Sequence, residues 1–219
     1  MYALSSNTHY ESSLLLNFSY SIFMKSPLAP DANADNQFDS LGTGLTYRSY
    51  ANWSHFGFYL NTYFLFPGKV VSTKTGGLMT TMEQIDMMLG LIIGPSYRVM
   101  LEGGLYLYLA LGLHFSYLAG SYTLEYPGQI SGKFQSDLAG TTIGAGGEFG
   151  LKYDTSEVIH LSFGLVWTLD FGSAIYLSEP SSSRPVPNYA WLSIRPYIGI
   201  GISITSDHSW YIQFANEEY

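Results

Sequence analysis

The stretch Leu105–Tyr117 reads Leu-Tyr-Leu-Tyr-Leu-Ala-Leu-Gly-Leu-His-Phe-Ser-Tyr. Its odd-numbered positions are all large and apolar, whereas its even-numbered positions are small, polar or amphipathic. Such an alternation places the two kinds of side chain on opposite faces of a β-strand. The face opposite the leucines carries no Lys or Glu, unlike the water-facing side of a soluble barrel. The stretch therefore predicts a strand with one face against hydrocarbon and the other in a narrow interior, for which about 9 to 11 residues cross a bilayer.

The composition of the 219-residue chain agrees with a membrane barrel of one domain, residues 1–219. Only 12% of the residues are charged, against roughly 25% in an average soluble domain. The 19 tyrosines and 23 glycines are typical of interfacial belts and closely packed barrel interiors. The longest aliphatic-rich run, Met87–Ile93, is far shorter than the roughly 20 residues of a membrane helix, so a helical membrane protein is excluded.

The residue types that are scarce exclude several classes of function. The chain has no cysteine, which removes disulfide, zinc-thiolate and thiol-nucleophile chemistry. Its net charge of -8 argues against nucleic acid as a partner. The residues after Met1 lack the basic start and apolar core of a signal peptide, so we expect a mature chain to which Met1 was added.

The same alternation recurs in eight segments, which predicts an all-β, eight-stranded antiparallel up-and-down transmembrane β-barrel in the bacterial outer membrane, with membrane lipid around it. Long and short connections alternate, as in such barrels. We expect the barrel over about residues 13–205 and periplasmic ends at 1–12 and 206–219, the latter as a tail or an extension of the last strand. The predicted strands are Ser13–Met24, Leu41–Tyr50, His55–Phe66, Ile85–Arg98, Leu105–Tyr117, Leu138–Tyr153, Ile159–Phe171 and Trp191–Thr205; the long loops are Lys25–Asp39, Pro67–Gln84, Ala119–Asp137 and Leu177–Asn188.

A more particular likeness lies in the last strand, Ile194-Arg195-Pro196-Tyr197-Ile198-Gly199-Ile200-Gly201. It resembles an Arg-Pro-Tyr-aliphatic-Gly-x-Gly strand of OmpW-like proteins, within a group of small barrels that includes the OmpX and OmpA-domain families. The resemblance implies a barrel that handles small apolar molecules and releases them sideways into the membrane.

The inward-facing positions collect a set of charged residues. Because charge in a narrow barrel is costly unless it is paired, we expect ion pairs and hydrogen-bonded networks across the lumen. The network fills the interior structurally, or it lines or gates a conduit; an eight-stranded barrel leaves just room for side chains or one small ligand. Its predicted members are Arg48, Asp86, Arg98, His114, Glu148, Lys152, Asp170 and Arg195.

A second set of inward residues would give an apolar molecule a lining: Tyr59, Tyr63, Met88, Ile92, Tyr106, Tyr108 and Trp191. Pro95 and Pro196 lie on the outward side of two strands, where a missing N–H removes a ladder hydrogen bond. Each proline predicts a bulge that accommodates curvature or, alternatively, a weakened seam through which an apolar molecule leaves the lumen.

No combination of nucleophile, base and orienting acid is recognisable, so we predict no catalytic residues and no enzyme activity. His160 and Ser162 have a spacing suitable for a base and a nucleophile, but they are predicted at the periplasmic rim, which is the wrong side for outer-leaflet lipid. The five scattered histidines suggest no metal site, and no cofactor is expected. The sequence favours a narrow conduit or binding site for small, apolar molecules; the alternative is a structural or adhesive barrel whose outer loops bind host or matrix proteins.

Overall fold

The computed structural model of the chain describes residues 3–25, 38–51, 54–66, 71–75, 79–125, 133–177 and 190–213. The described part is almost entirely β-strand, apart from a short 3-10 helix at Glu102–Gly104. No helix within it has the length and apolar character needed to cross a membrane.

The strands close into an antiparallel barrel. The strand bounds are β1 Ala3–Lys25, β2 Phe38–Ala51, β3 Phe56–Leu65, β4 Val71–Thr75, β5 Met79–Met100, β6 Leu105–Glu125, β7 Lys133–Asp154, β8 Ile159–Leu177 and β9 Trp191–Gln213. Two of these, β3 and β4, pair with successive parts of the same edge of β5 and together make one barrel strand, so the barrel has eight. Each barrel strand pairs with the next one along the chain, and β1 pairs with β9. The predicted fold class is therefore confirmed.

The two faces of each strand have the predicted environments. On β6, Leu109, Leu111, Leu113, Phe115 and Tyr117 are exposed on the outside of the barrel, while Tyr108, His114 and Ser116 are buried inside. Equivalent rows of exposed aliphatic and aromatic side chains lie on the other barrel strands. The outer wall is thus a continuous apolar surface, which water would not solvate but hydrocarbon would.

The two rims differ in the length of their connections. At one rim, called the short-turn rim, four residues separate the strand ends Ala51 and Phe56, Met100 and Leu105, and Asp154 and Ile159. At the opposite rim, called the long-loop rim, 12, 7 and 13 residues separate the strand ends Lys25 and Phe38, Glu125 and Lys133, and Leu177 and Trp191. At the short-turn rim, Gly103 and Gly104 have φ values of 71° and 77°. Residues that carry a side chain rarely adopt this left-handed backbone conformation, so glycine is required for the tight turn between β5 and β6.

Several predicted boundaries were wrong because strand pairing continues past the apolar band. β1 begins at Ala3 and not at Ser13, since residues 3–12 pair with β9 as far as Gln213. Residues 206–213 thus extend the closing strand. Most of the predicted loop 119–137 is strand, paired residue by residue between β6 and β7, and the predicted loop 67–84 contains β4 and the start of β5. Residues 26–37 and 178–188 of the other two predicted loops lie outside the described residues.

Asp86 is a further correction. The β5–β6 register shifts between Ile85 and Met87, which is a β-bulge. Ile85 and Met88 both face inward, and Asp86 between them is exposed. Counting alternate residues placed Asp86 in the lumen because a bulge inserts one residue that no alternation reveals.

The lipid-facing wall can be tested at Leu111, the middle of its row on β6, where the side chain is 57% exposed. Leu111→Arg is expected to lower the free energy of unfolding by about 2–4 kcal/mol, because it places a charge at the bilayer centre. Urea unfolding in phospholipid vesicles, followed by tryptophan fluorescence, measures the change. Val158→Arg at the short-turn rim is the control, with an expected cost of about 0–1 kcal/mol. Equal costs for the two variants would contradict the assigned membrane position.

Candidate functional site

The centre of the lumen is closed by an ion pair that spans it. Arg48 on β2 donates through Nη2 to Oε1 of Glu148 on β7, and the hydroxyl of Tyr197 on β9 donates to the same oxygen. Tyr59 and Leu15 are completely buried beside them. These side chains meet from five strands, so they block the barrel axis.

A second charged cluster lies towards the short-turn rim. Arg98 Nη1 donates to Glu11 Oε2 at 2.5 Å. Lys152 Nζ lies 3.5 Å from Glu11 Oε1 and 3.0 Å from Asp154 Oδ1. Both cations are buried, while Glu11 and Asp154 are partly exposed. The cluster therefore forms a neutral plug at this mouth.

A hydrogen-bonded chain of buried side chains lies towards the long-loop rim. The Asp170 Oδ1 atom is 2.8 Å from His114 Nδ1 and accepts a hydrogen bond from Thr142 Oγ1 at 3.0 Å. The other ring nitrogen, His114 Nε2, is 2.6 Å from the Tyr63 hydroxyl. Ser116 Oγ lies 2.7 Å from Thr142 Oγ1. The chain joins strands from four positions around the barrel and fills its outer half.

Each of the four buried lumen cations also lies over a tyrosine ring. The distances from the cationic group to the ring centroid are 4.7 Å for Arg48 over Tyr108, 4.2 Å for Arg98 over Tyr50, 4.9 Å for Lys152 over Tyr106 and 3.4 Å for Arg195 over Tyr63. Cation–π attraction is strongest where water is excluded. The tyrosines inside the barrel thus stabilise its charges as well as filling space.

The structure brings most of the predicted network into the lumen. Arg48, Arg98, His114, Glu148, Lys152, Asp170 and Arg195 are all buried there, and Asp86 is not. They form separate groups along the axis: Arg48 with Glu148, Arg98 with Lys152, and His114 with Asp170.

The predicted apolar lining is also inside, where it packs as core. Tyr59, Tyr63, Met88, Ile92, Tyr108 and Trp191 are buried, and Tyr106 is half-buried. The Tyr63 ring lies directly against the backbone of Gly90, where any Cβ would clash with it. The lining residues therefore contact one another and the polar groups in a filled interior.

Both prolines interrupt a strand ladder on one side. On the β8 side, Pro196 pairs with Leu165. On the β1 side the ladder has a gap, because Tyr20 and Ser21 have no partner there. The ladder is in register on both sides of this gap, where Ser19 pairs with Tyr197 and Ile22 with Ile194. The β5–β6 ladder has a similar interruption at Pro95. There, a Cβ at Gly94 would lie 2.6 Å from the Gly112 Cα, so the β5 and β6 backbones remain in close contact.

The described residues include no group of three or more His, Cys, Asp or Glu side chains placed to hold a metal ion. His114 does meet an acid, Asp170. This pair is not recognisable from the sequence, because the two residues lie on β6 and β8 with β7 between them. Its remaining nitrogen is bonded to the Tyr63 phenol, and Ser116 is bonded to Thr142. The arrangement holds His114 between a carboxylate and a phenol, with no serine hydroxyl bonded to it.

Two acids of the network were also missed. Glu11 lies in the predicted periplasmic end 1–12, although it shares the parity of the inward residues Ser13 and Asn17 and could have been found by extending that strand. Asp154 lies one residue beyond the predicted strand Leu138–Tyr153, yet it ends β7 and contacts Lys152. Tyr197 had the inward parity, but no sequence signal linked it to Glu148.

No protein-family model matches the chain, and no curated protein matches its sequence. Solved structures do match its fold. A major outer membrane protein from Thermus thermophilus matches with a TM-score of 0.53 and 11% identity, over 88% of this chain and 99% of that one. Ail, the attachment invasion locus protein of Yersinia pestis, matches with a TM-score of 0.47 and 14% identity, over 89% and 99%. Neisserial surface protein A matches with a TM-score of 0.43 and 11% identity, over 87% and 96%. The chain has the fold of small outer-membrane β-barrels, and the resemblance to OmpW-like proteins stays a prediction.

The central ion pair yields a stability prediction. Glu148→Gln leaves the buried Arg48 without its countercharge and is expected to lower the free energy of unfolding by about 3–5 kcal/mol. Urea unfolding in lipid vesicles measures it, with Glu102→Gln in the exposed 101–104 turn as the neutral control. The double variant Arg48→Met with Glu148→Met is expected to recover most of the loss, because two apolar side chains need no countercharge. A Glu148→Gln variant as stable as the control would contradict the pairing.

Proposed function

We propose that this protein is a closed surface barrel of the bacterial outer membrane, whose membrane section serves as an anchor and whose long-loop side binds host or matrix proteins. The observation that carries the proposal is the continuation of β5, β6 and β7 beyond the apolar band as a paired sheet. The exposed apolar row of β6 reaches Tyr117, while pairing continues on both sides as far as Glu125.

The length of this extension is enough to clear the membrane. At ~3.3 Å per residue and a tilt of about 40°, the eight residues 118–125 rise on the order of 20 Å above the apolar band. On the facing part of β7, Gln135 and Asp137 are exposed. A paired sheet of this kind presents both a surface and strand edges to another protein.

The filled interior supports an anchor in preference to an axial channel. The central pair, the Glu11 cluster and the His114 chain occupy successive levels of the lumen, and the side chains of Arg48, Tyr59, His114 and Asp170 are almost completely inaccessible. Opening a water-filled path would separate Arg48 from Glu148 and break several buried hydrogen bonds.

Attachment can be tested by shortening the projecting hairpin. Leu118 and Gly140 are register partners, so replacing residues 119–139 by Asn-Gly should close the strands with a type I′ turn. Bacteria displaying the intact protein are expected to attach to one or more proteins of an immobilised extracellular-matrix panel, and the shortened variant at least ten-fold less.

The matched control shortens the opposite rim. Asp154 and His160 are register partners, and replacement of residues 155–159 by Asn-Gly should leave attachment unchanged. Heat-modifiable migration on gels confirms that both variants fold. Attachment that survives loss of 119–139, or an intact protein that binds nothing on the panel, would overturn the proposal.

A second candidate function is binding and sideways release of a small apolar molecule, as the OmpW-like resemblance implies. The specific observation that favours it is the gap in the β1–β9 ladder at Pro196. Unlike the interruption at Pro95, this one has no glycine pair at the same level to draw the backbones together. Trp191, Tyr63 and Ile92 would supply apolar contacts inside the barrel.

Restoring the missing donor tests this seam. Pro196→Val supplies a backbone N–H for pairing with β1, which should lower the flux of an apolar solute several-fold if the solute passes there. Uptake of a fluorescent naphthylamine is measured in vesicles with a lipopolysaccharide outer leaflet, since apolar solutes cross simple bilayers unaided. Pro95→Val is the matched control and should leave the flux unchanged. Unchanged flux for Pro196→Val counts against the seam.

A further inference from the structure

Arg195 differs from the other cations inside the barrel. Arg48, Arg98 and Lys152 each lie within ion-pair distance of a carboxylate. Arg195 is just as buried, yet across the described ranges no carboxylate lies within 4.0 Å of it, and its partner is the face of the Tyr63 ring. An unpaired buried guanidinium is costly, so a membrane barrel that retains one has a reason in binding or function.

The donors that Arg195 leaves unused form one geometric unit. Its Nε and Nη2 have no hydrogen-bond partner. These two nitrogens lie on the same edge of the guanidinium plane, where their N–H bonds are parallel and match the two oxygens of a carboxylate. Arg48 offers a contrast, because its unused donors are Nε and Nη1, which do not share an edge.

A third unused polar group lies on β1, the strand that flanks β9. Ser21 on β1 faces inward, is completely buried, and its Oγ has no partner. The register of β1 and β9 places Ser21 opposite Arg195, at the level where the ladder is interrupted next to Pro196. Two neighbouring strands thus place a bidentate cation and a hydroxyl donor at the same level in the outer half of the barrel.

We propose that Arg195 and Ser21 form a binding site for the carboxylate of a small organic acid with an apolar body. Arg195 Nε and Nη2 each donate to one carboxylate oxygen, and Ser21 Oγ donates to one of them. Phe23, the next inward residue after Ser21, packs edge-to-face on Trp191 at 5.4 Å between ring centroids. Both rings are buried, so the body of the acid packs on this aromatic pair only after the side chains that cover it move aside.

The charged residues around the site favour a ligand that carries a single negative charge. Tyr63, under Arg195, is linked through His114 to Asp170, so a carboxylate already lies two side chains away. A monoanion neutralises Arg195, whereas a phosphate dianion adds a charge that no cation among the described side chains at this level compensates. The site goes beyond surface attachment and does not require passage through the seam, since binding is measured without transport.

The test uses the full chain in lipid nanodiscs and isothermal titration calorimetry, with empty nanodiscs as the blank. Sodium hexanoate is the probe, 1-hexanol has the same tail without the charge, and inorganic phosphate is the competing anion. Hexanoate is expected to bind at least ten-fold more tightly than hexanol and not to be displaced by an equal concentration of phosphate.

Variants assign the binding to this site. Arg195→Met should weaken hexanoate binding more than 100-fold. Arg195→Lys should weaken it more than ten-fold, because lysine lacks the two parallel N–H donors of the guanidinium. Ser21→Ala should weaken it roughly ten-fold, through loss of one hydrogen bond to a charged group. Arg98→Met removes a buried cation that already has its carboxylate and should leave the affinity unchanged.

A folding readout keeps the test decisive. Hexanoate should raise the urea midpoint of the wild-type protein and not that of Arg195→Met. Without hexanoate, Arg195→Met should unfold at the wild-type midpoint or above, because the substitution removes an unpaired buried charge. The assignment would be overturned if hexanol binds as tightly as hexanoate or if phosphate displaces hexanoate. It would also be overturned if Arg195→Met binds hexanoate as well as the wild type does, or if the wild type does not bind hexanoate.

Discussion

The absence of water in the hydrocarbon layer is the constraint from which the rest of this structure follows. A backbone N–H or C=O without a partner is too costly there, so the sheet closes on itself through the pairing of β1 with β9. Eight strands enclose a space only as wide as the side chains that point into it. Because charged residues in that space are also cut off from water, Arg48, Glu148 and their neighbours must satisfy one another.

Tyrosine makes this dry, charged interior possible. Its ring is large enough to fill the space beside the many glycines and small polar residues of the opposite strands, and its face attracts a cation. Its hydroxyl then reaches a second group: Tyr63 contacts His114, Tyr197 contacts Glu148, and Tyr50 contacts Ser96 at 2.5 Å. One residue type therefore packs, stacks and hydrogen-bonds at each level, which explains why a barrel of this size uses it so heavily.

Alternation in the sequence was sufficient to predict the barrel, the number of its strands and the inward placement of nearly all the network. It failed where the chain departs from a period of two, as at the bulge that turns Asp86 outward, and where pairing continues with polar side chains, as in residues 3–12 and 119–137. It also could not predict partners across the lumen. Arg48 and Glu148 are 100 residues apart, and their meeting depends on strand tilt and shear, which no local pattern encodes. The unused edge of Arg195 was invisible for the same reason.

The long pairing of β1 with β9 bears on how the molecule assembles. If β3 and β4 are counted as one barrel strand, every other described strand pairing joins neighbours along the chain, so those pairings close small loops. The β1–β9 seam instead encloses residues 3–213. The entropic cost of closing that loop is the largest among the strand pairings, and it is offset only when β1 and β9 pair with each other. We therefore expect the hairpins to form before this seam, and the pairing of Ala3–Lys25 with Trp191–Gln213 to be the last step that closes the barrel.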